Sequence, residues 1–315
     1  MAVIGIDLGG TKAGAALFSE KGDILANKFS LLEKRQGNEV GFLIRNLVNS
    51  MLEEAVKLNC QVSGIGVSVP GIYWSGNGKI WAPNIPGWED YPLLEELRSD
   101  PQPKGINVKI DSDRACYILG EVWKGNARGC RNTIFMAVGT GIGAGILIDG
   151  KILRGDNDIA GCTGWLALER PFSEKYTACG CFEYYAFGDG LARYANELLL
   201  QKEDYRGVFK SGKNPDARSL ILEYDKGDEI AVAVIGRAIE YWGMAVANLV
   251  SLFNPEKIIL GGGVFGEASK FLPRIYDEAR KWAQPVGFTK MSLEVSALGN
   301  MAGLYGAGYL ARGAV

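Results

Sequence analysis

The residues best suited to chemistry lie near the start of the sequence, where Asp7 ends a β-prone apolar run. After Leu8 come the residues of a tight turn, Gly9, Gly10, Thr11 and Lys12, and then a second β-prone run over residues 13–18. This pattern predicts a hairpin with an acid at the end of its first strand. Glycine has no Cβ, so the N–H groups of such a turn can approach a phosphate, and Asp7 can hold a hydrated Mg²⁺ beside it. A plain glycine hairpin with an edge aspartate explains the same residues.

A second glycine-rich turn separates β-prone runs over residues 133–138 and 144–148. Its first residues are Gly139, Thr140 and Gly141, and the stretch matches the dinucleotide-binding pattern G-x-G-x-x-[GA]. A dinucleotide site needs a helix directly after the glycines, with its N-terminus facing the pyrophosphate. The residues after this turn predict a strand instead, so we interpret the turn as a second phosphate-binding hairpin.

Three consecutive glycines, Gly261, Gly262 and Gly263, follow an apolar strand over residues 258–260 and precede a predicted helix. A segment without side chains admits a flat or anionic ligand close to the backbone. Taken alone, the same residues favour a flexible connection between strand and helix.

The sequence contains no histidine, so a general base must be a carboxylate or, less often, Lys, Tyr or Cys. Asp113 follows a predicted strand and opens a predicted helix, a position where aspartate is a favoured N-cap. It is also placed to accept the proton of a hydroxyl that attacks a phosphate. Asp111, two residues earlier, is the competing candidate for the same role.

The elements that must position these residues occur in two similar series. The predicted order is three strands, a helix, a strand, a loop-rich stretch, a strand and a helix, and this order recurs after residue 133. The predicted helices cover residues 38–58, 113–124, 229–253, 265–282 and 302–312, with a long insertion at 154–228 and a loop-rich stretch at 72–104. We predict an α/β fold with a duplicated βββαβαβα unit, in two lobes with a phosphate cleft between them, residues 1–114 plus 299–315 and residues 115–298.

The composition argues against nucleic-acid and membrane partners. The formal net charge is −2, the sequence pI is about 5.5, and Lys and Arg form no run. The most apolar stretch, residues 134–148, is too short to span a bilayer, and no room for a secretory signal precedes the first strand. Six cysteines in 315 residues do not resemble a secreted disulfide framework. We therefore expect a soluble, cytoplasmic protein.

Taken together, these motifs resemble those of a known family. The two hairpin turns and the glycines after Leu260 look like the two phosphate motifs and the adenosine motif of actin-like sugar kinases, and more narrowly of the ROK family (repressors, open reading frames, kinases). Supporting matches run in order along the chain: Val69-Pro70-Gly71, Asn84-Ile85-Pro86-Gly87-Trp88, Ala160-Gly161, Gly180-Cys181-Phe182-Glu183 and Leu298-Gly299-Asn300-Met301-Ala302. The resemblance implies a two-lobed actin-like ATPase (ribonuclease H-like) fold.

The resemblance also implies a function, an ATP-dependent carbohydrate kinase that transfers the γ-phosphate to a hydroxyl, usually the 6-OH, of a hexose or modified sugar. It makes Asp113 the base and gives Asp7 a water-mediated contact with Mg²⁺. The residues that it assigns to ATP are Asp7, Gly9, Gly10, Thr11, Lys12, Gly139, Thr140, Gly141, Gly261, Gly262 and Gly263. Gly71, Asn84 and Glu183 match positions that contact the sugar. A homodimer is suggested, and a non-catalytic sugar- or nucleotide-binding regulator is the alternative.

The implied sugar site departs from the family pattern in a consistent direction. Ser112 stands where the family places Asn, and Cys162, Thr163, Gly164 and Trp165 replace Glu-x-Gly-His. The loss of an amide, a carboxylate and an imidazole removes polar partners for sugar hydroxyls, whereas an indole can stack on an apolar sugar face. We therefore predict an acceptor other than plain glucose, such as a deoxy, acylated or otherwise modified sugar or polyol.

The family's zinc motif is also incomplete in this sequence. That motif joins the missing histidine to three cysteines, of which only Cys181 remains, with Glu174 and Tyr176 at the other two positions. Cys162, Cys179 and Cys181 supply at most three thiolates, whereas structural zinc takes four ligands. We predict that zinc is not bound.

Overall fold

The structure, a computed structural model, describes residues 1–99, 106–212 and 214–313. By their contacts the residues form two compact units, Met1–Cys130 with Gly145–Ala160 and Asn300–Val315, and Arg131–Ala144 with Gly161–Gly299. The predicted lobe boundaries at residues 114 and 299 stay a prediction. Residues 100–104 of the predicted loop-rich stretch, and residues 314–315 of the first predicted lobe, lie outside the described residues.

The secondary structure of the described residues is a mixture of strands and helices. The strands are β1 (Ala2–Leu8), β2 (Lys12–Ser19), β3 (Ile24–Leu31), β4 (Val62–Val69), β5 (Ile72–Trp74), β6 (Lys79–Trp81), β7 (Asn107–Ser112), β8 (Thr133–Val138), β9 (Ile142–Ile148), β10 (Lys151–Ile152), β11 (Lys257–Gly261) and β12 (Ser292–Val295). The helices are α1 (Asn38–Lys57), α2 (Leu93–Ser99), α3 (Asp113–Lys124), α4 (Cys181–Ala186), α5 (Gly188–Gln201), α6 (Ala217–Tyr224), α7 (Glu229–Phe253), α8 (Val264–Ala268), α9 (Leu272–Trp282), α10 (Pro285–Lys290) and α11 (Ala302–Ala311).

Two five-stranded sheets have the same topology. Their strand orders are β3-β2-β1-β4-β7 and β10-β9-β8-β11-β12. In the first sheet β1 pairs antiparallel with β2 and parallel with β4, and in the second β11 pairs parallel with both β8 and β12. The duplicated α/β unit predicted from the sequence is therefore confirmed.

The core of the first unit forms between its sheet and α1. Apolar side chains of β1 point into it, among them Ile4 and Ile6, and α1 contributes Val40, Ile44 and Val48 at helical spacing. Burial of these side chains is the main force that holds the helix on the sheet, because each fully buried aliphatic side chain contributes roughly 1.5–3 kcal/mol.

Glycines allow α11 to pack directly on backbone. A Cβ added at Gly64 would lie 2.2 Å from the carbonyl oxygen of Ala311, and one at Gly66 would lie 1.9 Å from that of Ala307. On the other side of α11, a Cβ at Gly120 of α3 would lie 2.3 Å from the carbonyl oxygen of Ala302. Because no side chain separates them, α11 fixes the position of α3 relative to the first sheet.

The second unit is built around α7. Asp228 caps this helix by accepting hydrogen bonds from the N–H groups of Ile230 at 3.1 Å and Ala231 at 3.0 Å. Among the described residues α7 is the only helix that is long and apolar enough to cross a membrane, and 67% of its apolar window is buried inside the structure. That degree of burial is typical of a core helix.

One sequence prediction needs correction, and the structure adds elements within stretches that were predicted only in outline. The helix predicted over residues 265–282 is broken into α8 and α9, because Pro273 occupies the first turn of α9 and has no N–H to continue the preceding helix. The loop-rich stretch contains β5, β6 and α2, and the long insertion contains α4, α5 and α6. The short helix α10 was not predicted.

We expect Gly66→Ala to destabilise the first unit, because its Cβ would overlap backbone of α11. Overpacking of this kind typically lowers the free energy of unfolding by about 1–3 kcal/mol. Thermal unfolding followed by circular dichroism measures the loss. Gly76→Ala is the matched control, since a Cβ there has no atom within 4 Å. Equal melting temperatures for the two variants would contradict the packing role of Gly66.

Candidate active site

The first predicted phosphate turn joins β1 to β2 as a tight hairpin. The N–H of Gly9 donates a 2.9 Å hydrogen bond to the carbonyl oxygen of Lys12, while Gly10 and Thr11 are exposed at the tip. A Cβ at Gly10 would lie 3.1 Å from the Nδ2 atom of Asn84. The turn, which was predicted to bind phosphate, and Asn84, which the family resemblance places at the sugar, are therefore neighbours.

Asp7 lies behind this turn in a poorly solvated position. The start of α11 covers it so closely that a Cβ at Gly303 would lie 2.5 Å from its Oδ1 atom. Burial, and to a smaller extent the charge of Asp113, raise the pKa of Asp7 to about 6, against the lowering effects of the Ser68 hydroxyl and of Lys12. Two carboxylates therefore lie close enough to interact electrostatically.

This pair of carboxylates fits a magnesium ion bound mainly through water. Mg²⁺ keeps several water ligands and takes only one or two carboxylates beside the phosphates of a substrate. Asp7 meets that requirement, because a cation beside it would offset both its own desolvation and the repulsion from Asp113. The described residues contain no cluster of three or more His, Cys, Asp or Glu side chains suited to a metal ion.

Asp113 is the first residue of α3, and Ser112 is the residue that caps it. The Ser112 Oγ atom accepts the N–H of Ala115 at 3.4 Å, so the alternative of Asp113 as N-cap is wrong. The carboxylate of Asp113 instead accepts hydrogen bonds from the N–H of Arg114 at 2.7 Å and from the Tyr117 hydroxyl at 3.5 Å. Burial raises the pKa of Asp113. The Arg114 charge and these two hydrogen bonds lower that pKa and partly offset the rise.

Asp111, the competing base, is already fully engaged. The Arg154 guanidinium donates two hydrogen bonds to it, at 2.7 Å to Oδ1 and 2.6 Å to Oδ2, and the N–H of Ser112 adds a third at 2.8 Å. Asp111 is only 2% exposed. Both oxygens of this carboxylate already accept hydrogen bonds from Arg154, which leaves less room for an attacking hydroxyl, so the geometry favours Asp113.

Gly71 contacts a residue at the start of α3. Its φ of 81° lies in the left-handed region, and a Cβ there would lie 2.2 Å from the carbonyl oxygen of Trp81. The Arg114 Nη2 atom donates a 3.3 Å hydrogen bond to its carbonyl oxygen. Arg114 and Arg154 are site residues that the sequence reasoning missed, because nothing local marks an arginine that pairs with a distant backbone or carboxylate.

In the second unit the other two glycine motifs adjoin each other. Gly262, with a φ of 90°, lies against Val138, where a Cβ would be 2.5 Å from the carbonyl oxygen. A Cβ at Gly139 would lie 3.5 Å from the nitrogen of Gly263. Because β9 follows the Gly139–Gly141 turn as a strand, the dinucleotide-binding alternative lacks the helix that it requires. Thr140 is exposed at the tip of this turn.

Glu183, predicted to contact the sugar, lies against the second turn. Its Oε2 atom accepts a 2.6 Å hydrogen bond from the N–H of Ile142. Cβ atoms added at Gly141 and Gly164 would lie 3.2 Å and 2.7 Å from that oxygen. Burial raises the pKa of Glu183, and the Ile142 hydrogen bond partly offsets the rise. The carboxylate therefore links the turn to the segment that contains Trp165, and Trp165 itself is 58% exposed.

Aromatic and charged side chains make the contacts of the segment that corresponds in position to the family's zinc motif. The Tyr176 hydroxyl lies 3.2 Å from that of Tyr185, and the Tyr185 ring stacks on Tyr241 of α7 with centroids 5.3 Å apart. Arg237 lies over Tyr185 at 4.5 Å and donates a 2.6 Å hydrogen bond to Glu169. Of the three candidate zinc ligands, Cys162 is exposed, Cys179 half-buried and Cys181 buried. The absence of zinc stays a prediction.

Comparison with known proteins identifies the family. The model of the ROK family matches residues 3–314. The chain belongs to the ROK family. It is 31% identical to a glucokinase of Halalkalibacterium halodurans, an alignment that covers 98% of this chain and 94% of that protein.

Solved structures of ROK proteins show the same fold. The ROK hexokinase of Thermus thermophilus has a TM-score of 0.84 at 30% identity, covering 99% of this chain and 98% of that one. A ROK glucokinase of Streptomyces griseus, solved with glucose and AMPPNP, has a TM-score of 0.75 at 26% identity, covering 99% of this chain and all (100%) of that one. This ROK protein therefore has the actin-like ATPase fold, as the sequence resemblance implied.

We expect Asp7→Asn to stabilise the protein at pH 7–8 when Mg²⁺ and nucleotide are absent. Because the pKa of about 6 lies above the ordinary 3.8, native Asp7 binds its proton more tightly than the unfolded chain does. Stability is therefore lost as pH rises from about 4 to 6, and Asn avoids this loss, which is of order 1–3 kcal/mol.

Chemical denaturation of both proteins at several pH values measures this effect. The gain from Asp7→Asn should disappear below pH 4, where the native carboxyl is protonated too. Asp277→Asn, at an exposed position of α9, is the control and should show no such pH dependence. A variant less stable than the native protein at pH 8 would contradict the account of Asp7.

Proposed function

We propose that this ROK protein is an ATP-dependent carbohydrate kinase that transfers the γ-phosphate to a hydroxyl, the 6-OH, of a hexose or modified sugar. The observation that carries the proposal is the placement of Asp113 at the start of α3, with a raised pKa and an electrostatic coupling to Asp7. The similarity to glucokinases supports the same activity.

In the proposed reaction Asp113 accepts the proton of the attacking hydroxyl. Its raised pKa suits this role, because a base works best when its pKa approaches the operating pH. The Tyr117 hydroxyl and the Arg114 N–H restrict the carboxylate to one orientation. Since phosphoryl transfer needs little covalent chemistry from the protein, such positioning is most of what the enzyme must supply.

The remaining proposed contacts hold the nucleotide. Asp7 would hold Mg²⁺, and this ion would neutralise charge on the phosphates. The turn from Gly9 to Lys12 and the turn from Gly139 to Gly141 offer backbone N–H groups to phosphate oxygens. The adjoining segment from Gly261 to Gly263 leaves room for the adenosine.

For the acceptor we propose a sugar other than plain glucose, bound by Gly71, Asn84, Ser112, Trp165 and Glu183. Ser112 uses its hydroxyl to cap α3, so it is a weaker partner for a sugar hydroxyl than an amide in that place. We also propose a cytoplasmic homodimer without nucleic-acid or membrane partners, which rests on the family resemblance and on the charge of the chain.

We expect Asp113→Asn to lower kcat by about 100- to 10,000-fold, because the amide cannot accept the proton, with little change in the KM for ATP. ADP release measured over a panel of sugars and polyols provides the readout. Asp277→Asn, the exposed control on α9, should retain full activity.

The same assay decides between the kinase and the regulatory alternative. A non-catalytic regulator would bind sugar or nucleotide in calorimetry, and neither the native protein nor Asp113→Asn would turn over ATP with any acceptor. If Asp113→Asn kept the activity of the native protein, the proposed kinase function would stand, but the proposed role of Asp113 as the base would be contradicted.

A further inference from the structure

A pocket of about 910 Å³ lies within the second unit, between residues 165 and 181. Its walls include the aromatic rings of Trp165, Phe172 and Tyr176, together with Pro171. Volumes of this order are typical of sites for small molecules, and apolar and aromatic walls are typical of their linings. None of the functional roles proposed above involves this pocket as a whole.

The pocket adjoins residues that we place in the sugar site. Trp165 belongs to both, and Gly180 of the pocket packs on it so tightly that a Cβ there would lie 2.6 Å from the Trp165 Cα atom. Gly164, the residue before Trp165, adjoins both Gly180 and the Glu183 carboxylate, because a Cβ at Gly180 would lie 2.5 Å from the Gly164 carbonyl oxygen and a Cβ at Gly164 would lie 2.7 Å from the carboxylate. A ligand held near Glu183 can therefore extend past Trp165 into the pocket.

The pocket offers mainly apolar contacts. Trp165 is 58% and Phe172 69% exposed, so two large rings face solvent at its wall. The Glu169 carboxylate is already bound by the Arg237 guanidinium and by the hydroxyls of Tyr176 and Tyr241. A hydrophobic group that covered the two rings would remove apolar surface from water without displacing these hydrogen bonds.

We propose that this pocket binds an apolar substituent carried by the acceptor sugar. The proposal rests on the proposed kinase function and deepens it, because it assigns the altered Trp165 position to recognition of that substituent. The sugar ring lies against Glu183, and the substituent lies between Trp165 and Phe172. The substrate class is therefore a hexose with an acyl chain or an aromatic group.

A series of acceptors that differ only in the substituent tests the proposal. Glucosamine with N-acetyl, N-butanoyl and N-hexanoyl groups, and glucose beside phenyl β-glucoside, are compared by kcat/KM and by calorimetric Kd. A buried methylene contributes about 0.8 kcal/mol, so kcat/KM should rise about fourfold for each methylene that enters the pocket. The phenyl arm distinguishes an aromatic group from an acyl chain.

Phe172→Ala should abolish the rise in kcat/KM along the substituent series and leave kcat/KM for the unsubstituted sugar unchanged. Phe42→Ala, which removes a ring of similar exposure (57%) from α1, is the matched control and should keep the full gain. A gain of the same size in Phe172→Ala would overturn the proposal, as would substituted sugars that are no better than their parents.

The two proposals fail in different ways. If plain sugars were phosphorylated and a substituent did not raise kcat/KM, the proposed role of the pocket would be overturned and the proposed kinase function would stand. Absence of ATP turnover with every acceptor would overturn the proposed kinase activity. The pocket would still be supported in that case if the calorimetric affinity increased along the series and this increase was lost in Phe172→Ala.

Discussion

The contact on which the candidate site depends is the backbone-to-backbone packing of α11 in the first unit. Glycines in β1, β4 and α3 let this helix lie directly on their main chains, and no side chain intervenes to allow slippage. The same helix covers the carboxylate of Asp7 at Gly303. One packing arrangement therefore fixes where α3 begins, and with it Asp113, and how far Asp7 is removed from water.

The electrostatic consequence is an unfavourable pair of carboxylates. Burial raises the pKa of both Asp7 and Asp113, and the negative charge of Asp113 raises the pKa of Asp7 further. A structure selected for stability alone has no need of this pair, whereas a phosphoryl-transfer site needs one acid near a cation and one near the attacking hydroxyl. Neighbouring Asp111 shows the contrast, since the bidentate contact with Arg154 makes it a structural ion pair.

Sequence reasoning succeeded where the signal is local. The hairpin of β1 and β2, the start of α3 at Asp113 and the duplicated sheet follow from strand runs, glycine turns and helical spacing along a few residues. It failed for contacts between residues that lie far apart in the sequence. Arg154 pairs with a carboxylate 43 residues away, and Tyr185 stacks on Tyr241 of another helix. No periodicity encodes such partners, and the aromatic cluster around Tyr185 was therefore not anticipated.

The most direct test is a crystal structure of the protein with a non-hydrolysable ATP analogue, Mg²⁺ and an acceptor that it phosphorylates. The account predicts the attacking hydroxyl within hydrogen-bond reach of the Asp113 carboxylate, about 2.6–3.2 Å, and a water ligand of Mg²⁺ on Asp7. A complex in which the hydroxyl contacts another carboxylate, with Asp113 still bound only to Arg114 and Tyr117, would contradict it.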